Sequence, residues 1–157
     1  MAKQVRKPKA EAKPARSSLL SAKTEYACIA LLELASRHND TNPVSLKDIA
    51  EKNGISHRFL VLILLQLKAG GLVTSTRGAS GGYQLTRPPE RTTLADIIDV
   101  IDPPEPIRTD EATTPTARTV RGVWEQILKA QRTILETTTL ADLWQKAQAE
   151  YEIVYQI

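Results

Sequence analysis

Cysteine is nearly missing from this chain: among 157 residues there is one, Cys28. A single thiol excludes an intrachain disulfide and a cysteine-rich metal cage within one chain, and it fits a reducing compartment. Histidine is almost as scarce. His38 and His57 stand far apart and show no ligand spacing, so no metal site is expected. No apolar run exceeds the seven residues of Phe59 to Leu65, against the roughly 20 that a membrane-spanning helix needs; a membrane span is excluded. The opening residues, Met1-Ala2-Lys3-Gln4-Val5-Arg6-Lys7-Pro8, continue as a basic stretch to Arg16 without the apolar segment of a secretory signal, and the expectation is a cytoplasmic protein. A glycine-rich phosphate loop and a nucleophile beside a base are also missing, so an enzyme is not expected.

What is present is an uneven charge. The formal net charge is +3, yet residues 1–16 carry six basic and one acidic side chain, residues 17–87 eight and five, and residues 88–157 seven and twelve. The basic N-terminal half suits a polyanion, because clustered Lys and Arg gain affinity by releasing condensed counterions. For residues 1–16 alone, Lys, Ala and Pro without periodic apolar positions equally describe a solvated, disordered tail. The remaining length suits one core with an appendage.

Local signals divide that length. Ser21 is placed to cap a helix running to about Arg37, with Ala27, Leu31 and Leu34 on one apolar stripe beside Cys28. The polar break His38 to Pro43 reads as a loop. Ser45 and Asp48 stand at capping-box spacing for a short helix that ends at Asn53-Gly54. Ser56 is placed to cap a third helix, from His57 to about Ala69, which stops at Gly70-Gly71. Leu72 to Thr76 and Tyr83 to Thr86 then read as strands joined by the glycine-rich turn Arg77-Gly78-Ala79-Ser80-Gly81-Gly82, closed by Pro88-Pro89. Helix, short helix, helix and hairpin in that order are the plan of a winged helix-turn-helix, giving a mainly α fold with a small β-hairpin. A three-helix domain with a decorative hairpin has the same outline.

In such a domain the first turn of the third helix enters the major groove. Here that turn begins Ser56-His57-Arg58: two side-chain donors, plus cap amides that favour an anion. Arg77, beside Gly78 at the hairpin tip, suits the negative potential of a narrow minor groove, and Lys23 suits a phosphate. The competing reading is a solvated helix start and an exposed turn. Leu60, Ile63, Leu64 and Leu67 make a core stripe, whereas Val61, Leu62 and Leu65 make the opposite side unexpectedly apolar. Those side chains can touch thymine methyls but cannot read donors and acceptors, which points to modest sequence discrimination or to a surface that meets protein.

Several motifs, Asp48-Ile49-Ala50-Glu51, Gly54-Ile55-Ser56, Gly71-Leu72-Val73 and above all Arg77-Gly78-Ala79-Ser80-Gly81-Gly82-Tyr83-Gln84-Leu85, give the chain its family likeness. From about Leu19 to Leu143 it resembles the Rrf-two family of winged-helix transcriptional regulators. The resemblance implies a homodimer, a long crossing helix that joins the subunits, and regulation at palindromic promoter sites on double-stranded DNA. Thr119 to Thr137 agrees, carrying Val120, Val123, Trp124, Ile127, Ala130 and Ile134 at near-heptad spacing, a seam suited to a partner or to the chain's own winged helix. Thr139 and Asp142 form a capping box for a last helix whose Leu140, Leu143, Trp144, Ala147, Tyr151 and Val154 are expected to fold over the dimer.

Two departures stand out. Iron–sulfur members of the family place three cysteines before the dimer helix, but Asp102 to Arg118 contains neither Cys nor His, so no cluster and no cofactor are expected. Val61 and Leu62 also stand where the family carries polar base-reading residues. The organisation expected is a disordered basic tail (1–16), a winged-helix DNA-binding domain (17–87), a short helix with an acidic proline-rich loop (88–118), and a dimerisation helix with a C-terminal helix (119–157). The function expected is that of a DNA-binding transcriptional regulator, by default a repressor. It answers to a regulatory protein, a small molecule or redox change at Cys28, with the loop Asp102 to Arg118 as sensor or as a disordered remnant. The alternative is a protein-interaction module that kept the fold but lost specific DNA reading.

Overall fold

The computed structural model describes residues 21–105 and 114–156. The basic tail expected at 1–16 and the middle of the proline-rich loop lie outside them. Six helices and one hairpin make up the described chain: α1 Ala22–Ser36, α2 Leu46–Asn53, α3 His57–Ala69, β1 Val73–Thr76, β2 Gly82–Leu85, a single 3-10 turn at Pro89–Arg91, α4 Leu94–Ile101, α5 Pro115–Thr137 and α6 Leu140–Tyr155. The winged-helix order expected from the sequence is present.

The capping chemistry explains the helix starts. Ser21 and Ser45 accept from the amides of Thr24 and Asp48, each at 3.1 Å, while Gly54 ends α2 in the left-handed region at φ 63°. Only the Ser45 half of the expected capping box forms, whereas Thr93 with Asp96 and Thr139 with Asp142 form complete boxes. Ser56 holds the N-cap position of α3, but its hydroxyl makes no cap bond, contrary to expectation.

One core lies between α1, α2, α3 and α4. Ala27, Ala30, Leu31, Ile49, Leu60, Ile63, Leu64, Leu67 and Ile97 are all but inaccessible, and an edge-to-face contact of Tyr26 with Phe59 at 5.5 Å joins α1 to the start of α3. Buried Glu33 on α1 is answered by Lys52 of α2 at 2.8 Å, which offsets the cost of placing a carboxylate there. The hairpin is antiparallel, pairing Val73 with Leu85 and Thr76 with Gly82. Val44, just after the polar break, bridges to β2 by exchanging backbone bonds with Tyr83 (3.0 and 2.8 Å). Gly82 permits this approach, since a Cβ there would lie 2.2 Å from the Val44 carbonyl oxygen.

The C-terminal part differs from expectation in two ways. The long helix begins at Pro115, capped by Thr114, because proline at the first helical position has no amide to leave unsatisfied. The last helix returns to its own domain: α6 packs on α1 and the 3-10 turn, Leu140 is fully buried in the core, and Leu94 N donates to Thr138 O (2.9 Å) while Leu140 N donates to Thr92 O (2.8 Å). Tyr151 and Val154, farther along α6, are exposed.

Candidate nucleic-acid interface

The third helix is apolar on two opposite sides. Leu60, Ile63, Leu64 and Leu67, at i, i+3, i+4 and i+7, are sealed in the core. Arg58, Val61, Leu62 and Leu65 repeat the same spacing on the far side and are exposed, Leu62 to 55% and Leu65 to 54%. Burying the first stripe contributes on the order of 2 kcal/mol per side chain, which fixes the second stripe outward. His57 flanks it at the N-terminal end and Lys68 at the other, both exposed.

The wing is held beside this helix. Lys68 Nζ donates to Ser75 Oγ on β1 at 2.6 Å, and Leu72 N donates to Leu67 O at 2.9 Å. At the wing tip Gly78 takes a left-handed φ of 114°, and Gly81 N returns to Gly78 O at 3.0 Å. The tightness of that loop excludes a side chain at Gly81, whose Cβ would meet the Thr76 carbonyl oxygen at 2.2 Å. Arg77 is thereby presented on a compact, exposed turn.

Charge along this segment is of one sign. Residues 52–89 contain Lys52, Arg58, Lys68, Arg77 and Arg87 with His57, and no Asp or Glu. Lys52 is engaged by Glu33 and Arg87 by Asp96 at 2.6 Å. Arg58 and Arg77 are exposed and make no hydrogen bond or ion pair among the described residues. Sequence reasoning did not isolate this acid-free stretch; counting acidic residues over a shorter window finds it.

Ser56, His57 and Arg58 thus share one helix start, and Arg77 and Gly78 form the tip of the hairpin that packs beside that helix. Lys23, expected at a phosphate, is instead half-buried at the α1–α4 junction, where its ammonium donates to Ile101 O at 3.3 Å. A cation there complements the C-terminal end of α4. Ser21 and Thr24 hydroxyls donate to the neighbouring Asp102 carboxylate, the latter at 2.5 Å, and with Lys23 they hold its pKa below the ordinary carboxylate value.

The expected dimer residues share a second exposed surface. No residue of α5 is buried. Val120, Trp124, Ile127 and Ile134 follow alternating four- and three-residue steps through Gln131, with Val123 beside them, and Trp124 and Ile134 are each 63% exposed. At its root α5 is fastened by Arg132, whose guanidinium donates to both oxygens of Asp99 (2.8 and 3.0 Å) and to Glu136 (2.7 Å).

The family model described as Rrf2, iron-dependent transcriptional regulator, matches residues 20–146. The chain belongs to the Rrf2 (Rrf-two) family. It is 37% identical to the HTH-type transcriptional regulator CymR of Bacillus subtilis over 134 residues, 85% of this chain and 94% of that protein. The solved structure of B. subtilis CymR, the global cysteine regulator of that organism, superposes with a TM-score of 0.72 at 38% identity, over 81% of this chain and 96% of that one. The structure of T. potens IscR gives 0.68 at 36% identity, over 82% and 87%. The Rrf2 chain described here is accordingly a winged-helix, DNA-binding transcriptional regulator.

Iron enters through the family description, and the donor set does not fit a thiolate-held cluster. Asp102 to Arg118 offers no Cys or His. The one thiol, Cys28, packs against the core on α1 with its pKa pushed up to about 11, first by burial and then by Glu25. Among the described residues no group of three or more His, Cys, Asp or Glu could hold a metal ion. None of the described helices is long and apolar enough to cross a membrane.

Proposed function

We propose that this Rrf2 regulator acts as a homodimer on palindromic promoter DNA, with Ser56, His57 and Arg58 entering the major groove and Arg77, beside Gly78, the minor groove. The observation that carries the reading is that Arg58 and Arg77, on two elements fastened side by side, stand exposed and unengaged within an acid-free stretch of 38 residues, 52–89. Amides at the start of α3 and the free hydroxyl of Ser56 add anion-accepting capacity. Dimerisation through α5 is supported by Val120, Val123, Trp124, Ile127 and Ile134, an apolar face running about 21 Å along the helix and left in water by a single chain. Occupying a promoter site blocks polymerase by default, so repression is the expected sign. The effector is a regulatory protein or small molecule acting near Asp102 to Arg118, with no iron–sulfur cluster required.

A salt-resolved anisotropy titration against the protein's own upstream DNA and a scrambled duplex tests this. Preference for the native duplex is expected, with Arg58→Ala and Arg77→Ala each weakening it roughly 5- to 100-fold. Sedimentation equilibrium of Trp124→Glu tests the dimer: a monomer is expected. The exposed Val61, Leu62 and Leu65 also favour a second reading, a protein-interaction module. Equal, steeply salt-sensitive binding to both duplexes would select it.

A further inference from the structure

We propose that the exposed stripe Val61, Leu62 and Leu65 is a base-reading surface that recognises the 5-methyl groups of thymine in the major groove, with Arg58 setting its register. The inference rests on the placement of α3 in the major groove and adds what that helix reads there.

The stripe is built by the fold. Its three aliphatic side chains stand opposite the four core leucine and isoleucine positions of α3, so no rotation of the helix hides them without exposing Leu60, Ile63, Leu64 and Leu67. It continues directly into the polar part of the candidate interface. Arg58 precedes Val61 by three residues and Leu62 by four, and therefore lies on the same helix face, one turn closer to the N-terminus.

The surroundings select the partner. The stripe lies between His57 and Arg58 at one end and Lys68 at the other, on a helix with no acidic residue and beside a wing with none. An apolar strip with Arg58 at one end, Lys68 at the other and no acid beside it complements a surface that is itself apolar within a polyanionic frame. Thymine's methyl is the one apolar group that base pairs present in the major groove, and it is flanked on both sides by phosphates. Aliphatic side chains make no hydrogen bond to a base edge, so this helix distinguishes T·A from the other pairs by the methyl itself. Polar base edges opposite the stripe would be desolvated without a partner, which penalises G·C there.

The test uses the full-length protein. A random 30-base-pair library is enriched by binding, and the enriched pool is amplified with either thymidine or deoxyuridine triphosphate, which differ only by the methyl. Affinities are compared by anisotropy at fixed salt. Each buried methyl is worth about four-fold, so one methyl per half-site of a dimer predicts roughly 15-fold weaker binding of the uracil pool. Leu62→Gln, at an exposed position that leaves the core intact, should bind DNA and reduce the thymine-to-uracil ratio to near one. Sequence-selected DNA bound equally with thymine and uracil overturns this inference while leaving the major-groove placement standing. No enrichment of any sequence overturns both.

Discussion

Replacing Gly82 with alanine is expected to destabilise the protein by about 3 kcal/mol, and the reason lies in one carbonyl. An added Cβ would sit 2.2 Å from the Val44 oxygen and 2.5 Å from its carbon, both backbone atoms that cannot swing aside like the end of a side chain. Restoring ordinary contact requires more than 1 Å of movement, roughly, between the two segments, enough to lose both backbone bonds that join Val44 to Tyr83. Two such bonds contribute about 1 kcal/mol each. Val44 is also sealed in the core, and partly unseating it adds about another 1 kcal/mol. For a chain of this size 3 kcal/mol corresponds to roughly 9 °C in Tm. Gly54→Ala is the control: its φ of 63° is equally unusual for alanine, but nothing lies within 4 Å of the added carbon, so only a backbone cost of about 1 kcal/mol applies. Equilibrium urea unfolding of the three proteins at one concentration measures the differences. A Gly82→Ala protein as stable as the parent, or a Gly54→Ala protein as damaged as Gly82→Ala, would refute the close-approach argument.

Three further outcomes are expected. Leu140→Ala should lose about 2 to 5 kcal/mol in urea unfolding, because Leu140 anchors α6 in the winged-helix core; a loss below about 1 kcal/mol would show that α6 is not part of that cooperative unit. The Asp102 carboxyl, held below its ordinary pKa by Ser21, Thr24 and Lys23, contributes stability above the unfolded value of about 3.9 and loses it as pH falls through the lower folded value. Asp102→Asn should therefore be less stable than the parent at pH 6, with the gap closing below about pH 4. Cys28, with its pKa pushed up to about 11, should be alkylated slowly by iodoacetamide at pH 7.5 and progressively faster as pH rises; a rate midpoint near 8.5, the value of a free thiol, would contradict its burial.

Much of the winged helix was legible because its signals are local. Ser21 and Thr139 announce caps within three residues of their partners, Gly54 ends a helix by its own backbone preference, and the stripe of Leu60, Ile63, Leu64 and Leu67 declares its inner face by period alone. What sequence reasoning missed depends on partners far along the chain. Lys23 donates to Ile101 O, an acceptor 78 residues away that no local signal announces. Val44, which follows the loop His38 to Pro43, carries no signal of its own, since one residue has no alternation to betray a strand, and its pairing with Tyr83 is set by the wing. The return of α6 depends on Thr92 and Leu94 meeting Thr138 and Leu140 edge to edge, a contact with no sequence period. Ser56 shows the converse: its residue type suggested a cap bond, yet the backbone leaves its hydroxyl unengaged.

The fastening of α5 at its root gives the molecule a mechanical property. Arg132 clamps the helix to Asp99, and the Leu94–Thr138 bond holds its end against the start of α4, so the arm is tied to the winged helix at two points. The arm is about 35 Å long. A pivot of about five degrees at its far end would carry the head roughly 3 Å along the DNA, close to the 3.4 Å rise of one base step. Two copies joined along this arm would act as a calliper whose jaw opening is set by the helix crossing, and a change of one base pair between half-sites would be felt as strain at Asp99 and Arg132.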